Sequence, residues 1–408
     1  MSIDTTAPRP SRTGPAPTEL PAAAGRCPFD PLPAYHQAAR TAPVTEARLW
    51  DGTSCHLLTG YQEIRTALSD PRFSADARHP GFPFLSPGRR ELTNRTTPSF
   101  IRLDDPEHAR QRRMLTGEFI IKRVEAMRPE IQRIVDEALD RMTAGGGPAD
   151  LVAEFALPIP SLVICLLLGV PYRDHDFFQR HSRSLLDLTA PAEEVTEAVD
   201  ALTAYLTELA ETKRLAPDDS LISRLVARGE LTMPEAASMG LLLLVAGHET
   251  TANMTALGTL ALLRNPEQAE RLRGEPELTN GAVEELLRYL TIVHHGVPRV
   301  ALEDVELGGT LVRAGEGVVC MLSTANRDEE LFADPDVLDI GRDARRHLAF
   351  GFGVHQCLGQ PLARFELRIA LSTLFRRLPG LRLAVPFEEL EYRSSSAVHG
   401  LRELPVTW

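Results

Sequence analysis

The sequence predicts a mainly α fold with a minor β region, on three observations. Long stretches repeat apolar residues every three or four positions, the period of a helix with one buried face. Strand-like runs are few and short, and turn residues join them in pairs. No internal repeat and no linker divides the chain beyond residue 30, so 30–408 reads as one large domain behind a flexible leader over 1–29. The chain has 408 residues, 43% of them hydrophobic, enough to build such a core and to exclude disorder throughout.

In chain order, the leader is rich in Pro, Ala and Thr and has no apolar run, so it reads as neither a secretory signal nor an anchor. A hairpin follows, with Arg48-Leu49-Trp50 and Cys55-His56-Leu57-Leu58 about the turn Asp51-Gly52. Residues 73–100 hold Pro80, Gly81, Pro83, Pro87, Gly88 and Pro98 and few helix formers, which predicts a long functional loop such as a lid. A helix is expected over 123–143 from Val124, Met127, Ile131, Ile134, Val135, Ala138 and Leu139. The apolar run 151–170 carries Glu154, Pro158 and Pro160, which suits a buried helix starting near Ser161 rather than a membrane span. Helices are also expected over 195–214, 234–264, 281–291 and 358–378. The run 236–263 is long and apolar, but His248 and Glu249 at its middle make it a poor span. A β pair should bracket Gly308-Gly309, with a later strand over 318–322.

Composition excludes several function classes. A formal net charge of −12 argues against nucleic-acid binding. The five cysteines, Cys27, Cys55, Cys165, Cys320 and Cys357, are odd in number and far apart, so neither a disulfide framework nor a CxxC site is visible and a reducing cytoplasm is expected. All basic residues but Lys122 and Lys213 are arginine, which with abundant alanine points to a GC-rich bacterial genome.

The most informative segment is Phe350-Gly351-Phe352-Gly353-Val354-His355-Gln356-Cys357-Leu358-Gly359. Its glycines permit tight turns and close approach to a flat object. Cys357 immediately precedes a predicted helix, whose N-terminal amides favour a thiolate. A thiolate in a glycine-lined loop is what iron ligation requires. A lone cysteine is more often a small buried hydrophobe, and the other four are read that way.

This segment resembles the haem-binding loop of the cytochrome P450 monooxygenases, F-G-x-G-x-H-x-C-x-G, at every fixed position. The resemblance spans about 27–408, is closest to the soluble actinobacterial hydroxylases, and implies their fold, with haem between a long central helix and the Cys-containing loop and helix. It implies heme b as cofactor, with Cys357 as the axial thiolate, and Phe350, Gly351, His355 and Gly359 as loop contacts, His355 towards a propionate. Glu285 and Arg288 resemble the family's E-x-x-R pair, with Arg342 as the third member that fixes the loop. Ala246-Gly247-His248-Glu249-Thr250-Thr251 resembles its oxygen-binding motif. There Ala246 and Gly247 would flank a widened groove for oxygen, and Glu249 and Thr250 would deliver protons as the catalytic pair. An H-E-x-x-H zinc motif fails, because position 252 is Ala. His108 and Arg112 share a helical face and match the family's propionate-binding H-x-x-x-R pair, as Arg299 matches its propionate arginine.

The resemblance implies a monooxygenase that hydroxylates a bulky lipophilic molecule such as a polyketide, macrolide, steroid or terpenoid. The chain shows no dinucleotide fingerprint and no cysteine cluster, so electrons should come from a ferredoxin and its NAD(P)H-dependent reductase. A docking patch is expected among Arg110, Arg112, Arg113, Lys122, Arg123, Arg345, Arg346 and Arg364. Phe82, Phe84, Leu85, Phe177, Phe178, Leu290, Ile292 and Val293 are expected to face substrate, beside Arg89, Arg90, Arg95, His294 and His295. A monomer in the cytoplasm, without membrane or nucleic-acid partner, is expected. Two other classes stay open: a haem-thiolate sensor without catalysis and a haem-free cysteine hydrolase. The Glu249-Thr250 pair speaks against the first, and the glycine-lined loop without a nucleophile elbow against the second.

Overall fold

The computed structural model describes residues 16–23, 25 and 27–408. Helices dominate, and the largest sheet has six strands in the order Thr18–Leu20, Val44–Leu49, Ser54–Leu58, Gly317–Cys320, Val297–Ala301, Phe73–Ser74. The hairpin Val44–Leu49/Ser54–Leu58 and the pair Val305–Leu307/Thr310–Val312 stand where turn residues place them. Residues 1–15 of the expected leader lie outside the described residues. Within the rest of it, Thr18–Leu20 pairs in parallel with Ala47–Leu49, so that part is strand rather than free leader.

The central helix runs Met233–Arg264, 32 residues or about 48 Å at 1.5 Å per residue. A capping box starts it: Thr232 Oγ1 accepts from the Glu235 amide and the Glu235 carboxylate accepts from the Thr232 amide. Most residues along it are buried, against helices Pro158–Leu168, Ala192–Leu215 and Gln360–Arg377.

Three expectations need correction. The helix over 123–143 is two helices, Ile121–Ala126 and Arg128–Thr143, parted at Met127. Pro129 has no amide hydrogen and opens the second helix instead of continuing the first. Next, the buried helix begins at Pro158, three residues before Ser161, because proline is well placed in a first turn. Lastly, the loop over 73–100 contains the helix Pro87–Arg95, which Ser86 caps by accepting from the Arg89 amide.

Candidate active site

The Cys357 loop is a set of tight turns. Gly351 N donates to Leu348 O at 2.8 Å, Gln356 N to Gly353 O at 3.0 Å and Cys357 N back to Phe350 O at 2.9 Å. Gly353 has φ +73°, and a Cβ there would strike Leu68 O, so glycine is required on both counts. Burial raises the Cys357 thiol pKa. The Gly359 and Gln360 amides and the Arg112 and Arg364 charges pull it down without overcoming burial. The helix-terminal amides thus favour the thiolate, as the sequence suggests, while burial opposes it. Space remains beside it: Cys357 is exposed although protein encloses it, and Ala246 is exposed in the middle of the buried central helix.

Two ion networks hold this loop. Glu285 and Arg288, both without solvent exposure, form a bidentate pair at 2.7 and 2.8 Å. Arg342 Nε joins Glu285 at 3.2 Å, and Arg288 Nη1 donates to Asn326 O and Pro335 O at 2.8 Å. This is the expected triad, clasping the chain that leads into the loop. In the second network, Glu284 accepts from Arg364 Nε and Nη2 at 2.7 and 2.9 Å and pairs with His347 Nε2 at 3.1 Å. His347 Nδ1 accepts from the Ala349 amide, so the proton sits on Nε2 and is donated to Glu284. Burial would raise the Glu284 pKa, but His347 and Arg364 outweigh it and hold it at about 2.

Beside the loop, three arginines that have no ion pair among the described residues gather with two histidines. His108 Nδ1 is held by Asp105 at 2.9 Å while its Nε2, buried, has no partner. The His355 ring lies 4.2 Å from that of His108, and its Nδ1 is likewise buried and unpartnered. Burial and the nearby Arg299, His108, Arg112 and Arg102 push His355 down to about 3. Arg112 Nη2 donates to Gln356 O at 2.6 Å, beside Cys357. Arg299, 3% exposed, bonds only the carbonyl of Pro298 at 2.8 Å. Arg102, 5.2 Å over the Phe82 ring, is lowered to about 9 by burial and by Arg299 and Arg89. None of these three arginines has an ion pair among the described residues. Arg299 is buried and Arg102 and Arg112 are partly so, and guanidiniums withdrawn from water without a counter-charge call for anions. Two carboxylates, such as haem propionates, answer both the charges and the orphaned imidazole nitrogens.

Above the sulfur, Thr250 Oγ1 donates to Ala246 O at 2.7 Å. Glu249, 2% exposed, takes Arg393 Nη1 at 3.0 Å and lies 3.8 Å from Arg183 Nε. The gap at Gly247 is not open as expected: Ile164 Cδ1 lies 2.8 Å from where a Cβ would be. Gly247 thus lets two helices approach, and Ala246 presents the free surface.

Several side chains expected to face substrate do not. Phe178 and Leu290, fully or nearly fully buried, belong to the core. His294 and His295, both 4% exposed, serve a separate cavity of 240 Å³ with Tyr392 and His399. The His294 ring stacks 4.2 Å from His399, and His295 Nδ1 meets the Tyr35 hydroxyl at 3.2 Å. Phe82, Phe84 and Arg90 do line a cavity, of 630 Å³, with Leu49, Thr93 and Pro98. Sequence reasoning missed Arg102, Arg183 and Arg393. Arg102 is a lone charge between Ile101 and Leu103, a faint signal; Arg393 stands 144 residues from Glu249 and gives none.

The cytochrome P450 family model matches residues 50–379, and the chain belongs to that family. It is accordingly a monooxygenase that works through a haem held by an axial cysteine thiolate. Cytochrome P450-SU2 of Streptomyces griseolus is 66% identical over 382 residues, 94% of each protein. Pentalenic acid synthase of Streptomyces avermitilis is 51% identical over 386 residues, 94% of this chain and 95% of that protein. The crystal structure of GfsF, 48% identical, superposes with TM-score 0.89 over 96% of this chain and 100% of that one. Among the described residues no helix is long and apolar enough to cross a membrane, and no cluster of three or more His, Cys, Asp or Glu could hold a metal.

Proposed function

We propose that residues 30–408 form one catalytic domain that hydroxylates a bulky lipophilic secondary metabolite in the cytoplasm, as a monomer, with electrons from a ferredoxin and its NAD(P)H-dependent reductase. The observation that carries the reading is the exposed Cys357 near arginines that have no ion pair among the described residues and two histidines with orphaned ring nitrogens. When bound, the haem supplies oxygen cleavage and insertion into a C–H bond, and the thiolate ligand favours the cleavage. Cys357 is that ligand. His108, Arg112, Arg299 and His355, with Arg102, hold the propionates; Phe350, Gly351 and Gly359 shape the loop, and Ala246 and Gly247 the opposite wall. Glu249 and Thr250 handle protons. Neighbours on a helix point about 100° apart, so these two pass a proton through water rather than directly. Arg183, half exposed, links Glu249 to solvent.

Four arginines of the expected docking patch are paired: Arg110 with Glu107 and Glu235, Arg123 with Glu118, Arg345 with Asp343 and Arg364 with Glu284. Arg112 turns inward to Gln356. Arg113, Lys122 and Arg346 stay exposed and unpaired among the described residues, and Ile120, Ile121 and Val354 are exposed too. Free cations and exposed apolar side chains of this kind suit an acidic ferredoxin. Glutamates at Arg113, Lys122 and Arg346 should weaken ferredoxin binding and flatten its salt dependence; unchanged values would refute the docking site. The whole reading is tested by the reduced carbon-monoxide spectrum. A thiolate-type band is expected and should vanish in Cys357→Ser; hydroxylation with a surrogate ferredoxin pair should follow. A protein that binds no haem, or keeps the band without Cys357, refutes it.

A further inference from the structure

Glu249 is bonded at one carboxylate oxygen and not at the other. Arg393 Nη1 donates to Oε2 at 3.0 Å, while Oε1 is buried and has no hydrogen-bond partner. Two groups stand 3.8 Å from Oε1, beyond hydrogen-bond reach: Arg183 Nε, on a half-exposed side chain, and His248 Nε2, on a side chain without solvent exposure. His248 Nε2 is itself buried and without a partner. The ring is held in place from two directions. Its Nδ1 donates to Leu244 O at 2.6 Å, and Phe178 meets it edge-on with ring centroids 5.7 Å apart. With the hydrogen on Nδ1, Nε2 of the neutral ring is an acceptor.

Two acceptors therefore face each other, a mismatch that packing does not require, because an apolar side chain beside Phe178 would leave nothing orphaned. The mismatch disappears once Glu249 takes up a proton. A protonated carboxyl group has one oxygen that accepts and one that donates. Arg393 then keeps Oε2, and a hydroxyl at Oε1 finds its acceptor in His248 after a shift of about 1 Å. The charged groups that reach His248 are Glu249 on its own helix, Arg183 on helix His175–Leu186 and Arg393 near the C-terminal end. Burial lowers the imidazole pKa and outweighs Glu249 and the Leu244 carbonyl, and Arg183 and Arg393 add to the lowering. The ring thus stays neutral and ready to accept.

We infer that His248 is a positioning residue for proton delivery, which holds Glu249 in its protonated form by accepting a hydrogen bond from the carboxyl group at Oε1. The proton comes from solvent on the Arg183 side and converts the carboxylate to the carboxyl. When it is passed on towards Thr250, the carboxylate is restored and His248 is again without a partner. His248 itself gains and loses no proton. The inference rests on the place of Glu249 in the proton route proposed above.

The test uses the haem-loaded enzyme without substrate. Infrared difference spectra between acidic and alkaline buffer should contain a carboxyl C=O band that Glu249→Gln removes. In His248→Leu that band should move to higher frequency, because its hydrogen-bond acceptor has gone. His248→Gln, whose side-chain carbonyl can accept, should bring it part of the way back. Run in air with a surrogate ferredoxin pair, the parent should release a rising share of its electrons as hydrogen peroxide as pH increases. In His248→Leu the rise should begin about one pH unit lower, while haem content, carbon-monoxide band and melting temperature stay near the parent's. His248→Leu combined with Glu249→Gln should be no worse than Glu249→Gln alone. His248→Phe carries the same readings if leucine fails to fill the space. A band and a peroxide profile left unchanged by the loss of His248 overturn the inference, as does the absence in the parent of any band that Glu249→Gln removes. Failure of the underlying reading shows separately, as a peroxide share in Glu249→Gln equal to the parent's.

Discussion

Glu284→Gln keeps the shape of a buried side chain and removes its charge. The carboxylate receives two bonds from Arg364 and one from His347, and Arg368 lies 3.8 Å away. Arg364 is then held 4.5 Å over the Phe350 ring, and His347 holds the Ala349 amide, so both arms end at the start of the Cys357 loop. Glutamine would turn N–H donors towards groups that are donors themselves. The folded-state pKa of Glu284 is lowered to about 2 from an ordinary 4.5. A carboxyl whose pKa is depressed by folding contributes stability that is fully present above the unfolded value and lost as pH falls through the folded one. The window is thus from about pH 4.5 down to about pH 2. Its size at neutral pH is on the order of 3 kcal/mol, a fall of about 3–4 °C in melting temperature for a chain of this length. Melting the parent and Glu284→Gln side by side from pH 7 to pH 3 isolates this group from the other acids. The gap should be widest at neutral pH and close on acidification. Equal melting at pH 7, or a gap that stays constant down to pH 3, would refute the network's role.

Arg288→Ala leaves Glu285 fully buried with only Arg342 and the Asp339 amide for company and should destabilise by about 3–5 kcal/mol, seen as protein that purifies with little haem. Gly353→Ala must relieve both a left-handed φ and a clash with Leu68 O, and should lose about 1–3 kcal/mol in chemical denaturation; a wild-type midpoint would contradict the loop geometry. Gly247→Ala collides with Ile164, so Ile164→Ala should restore in the double variant the haem content and stability lost in the single one. Glu249→Gln should lower hydroxylation about a hundredfold while the carbon-monoxide spectrum stays intact, with a larger solvent deuterium isotope effect; undiminished turnover would remove Glu249 from the proton route.

Legibility followed sequence distance. The Cys357 loop was readable because its turns, sulfur and following helix start fall within ten consecutive residues. Glu285 and Arg288 were readable as neighbours on one helical face, and Arg342 only through the resemblance. The cation cluster was partly so: His108 and Arg112 share a face, but Arg102 joins them only because strand Val297–Ala301 brings Arg299 alongside. Helix ends failed where proline had two readings. Pro129 and Pro158 start helices, and periodicity alone cannot tell a starter from a breaker. His294 and His295 were misplaced for a different reason. Their neighbours Tyr35 and His399 come from opposite ends of the chain, and nothing local announces that contact.

Around the Cys357 loop, cations that hold differ from cations that wait. Arg288, Arg342 and Arg364 each meet a carboxylate within 3.2 Å, and the acids they meet are almost wholly buried. Such pairs add rigidity, and each loses heavily if one partner is removed. Arg102, Arg112 and Arg299 meet none among the described residues. A chain with 56 acidic residues and a net charge of −12 has carboxylates to spare, so a shortage of acids does not account for the unpaired set. What distinguishes them is location: all three stand near enough to His355, two residues from Cys357, to lower its pKa. Stability alone would have paired or removed those charges. Their persistence is intelligible if the anions come from outside the polypeptide, as part of the cofactor.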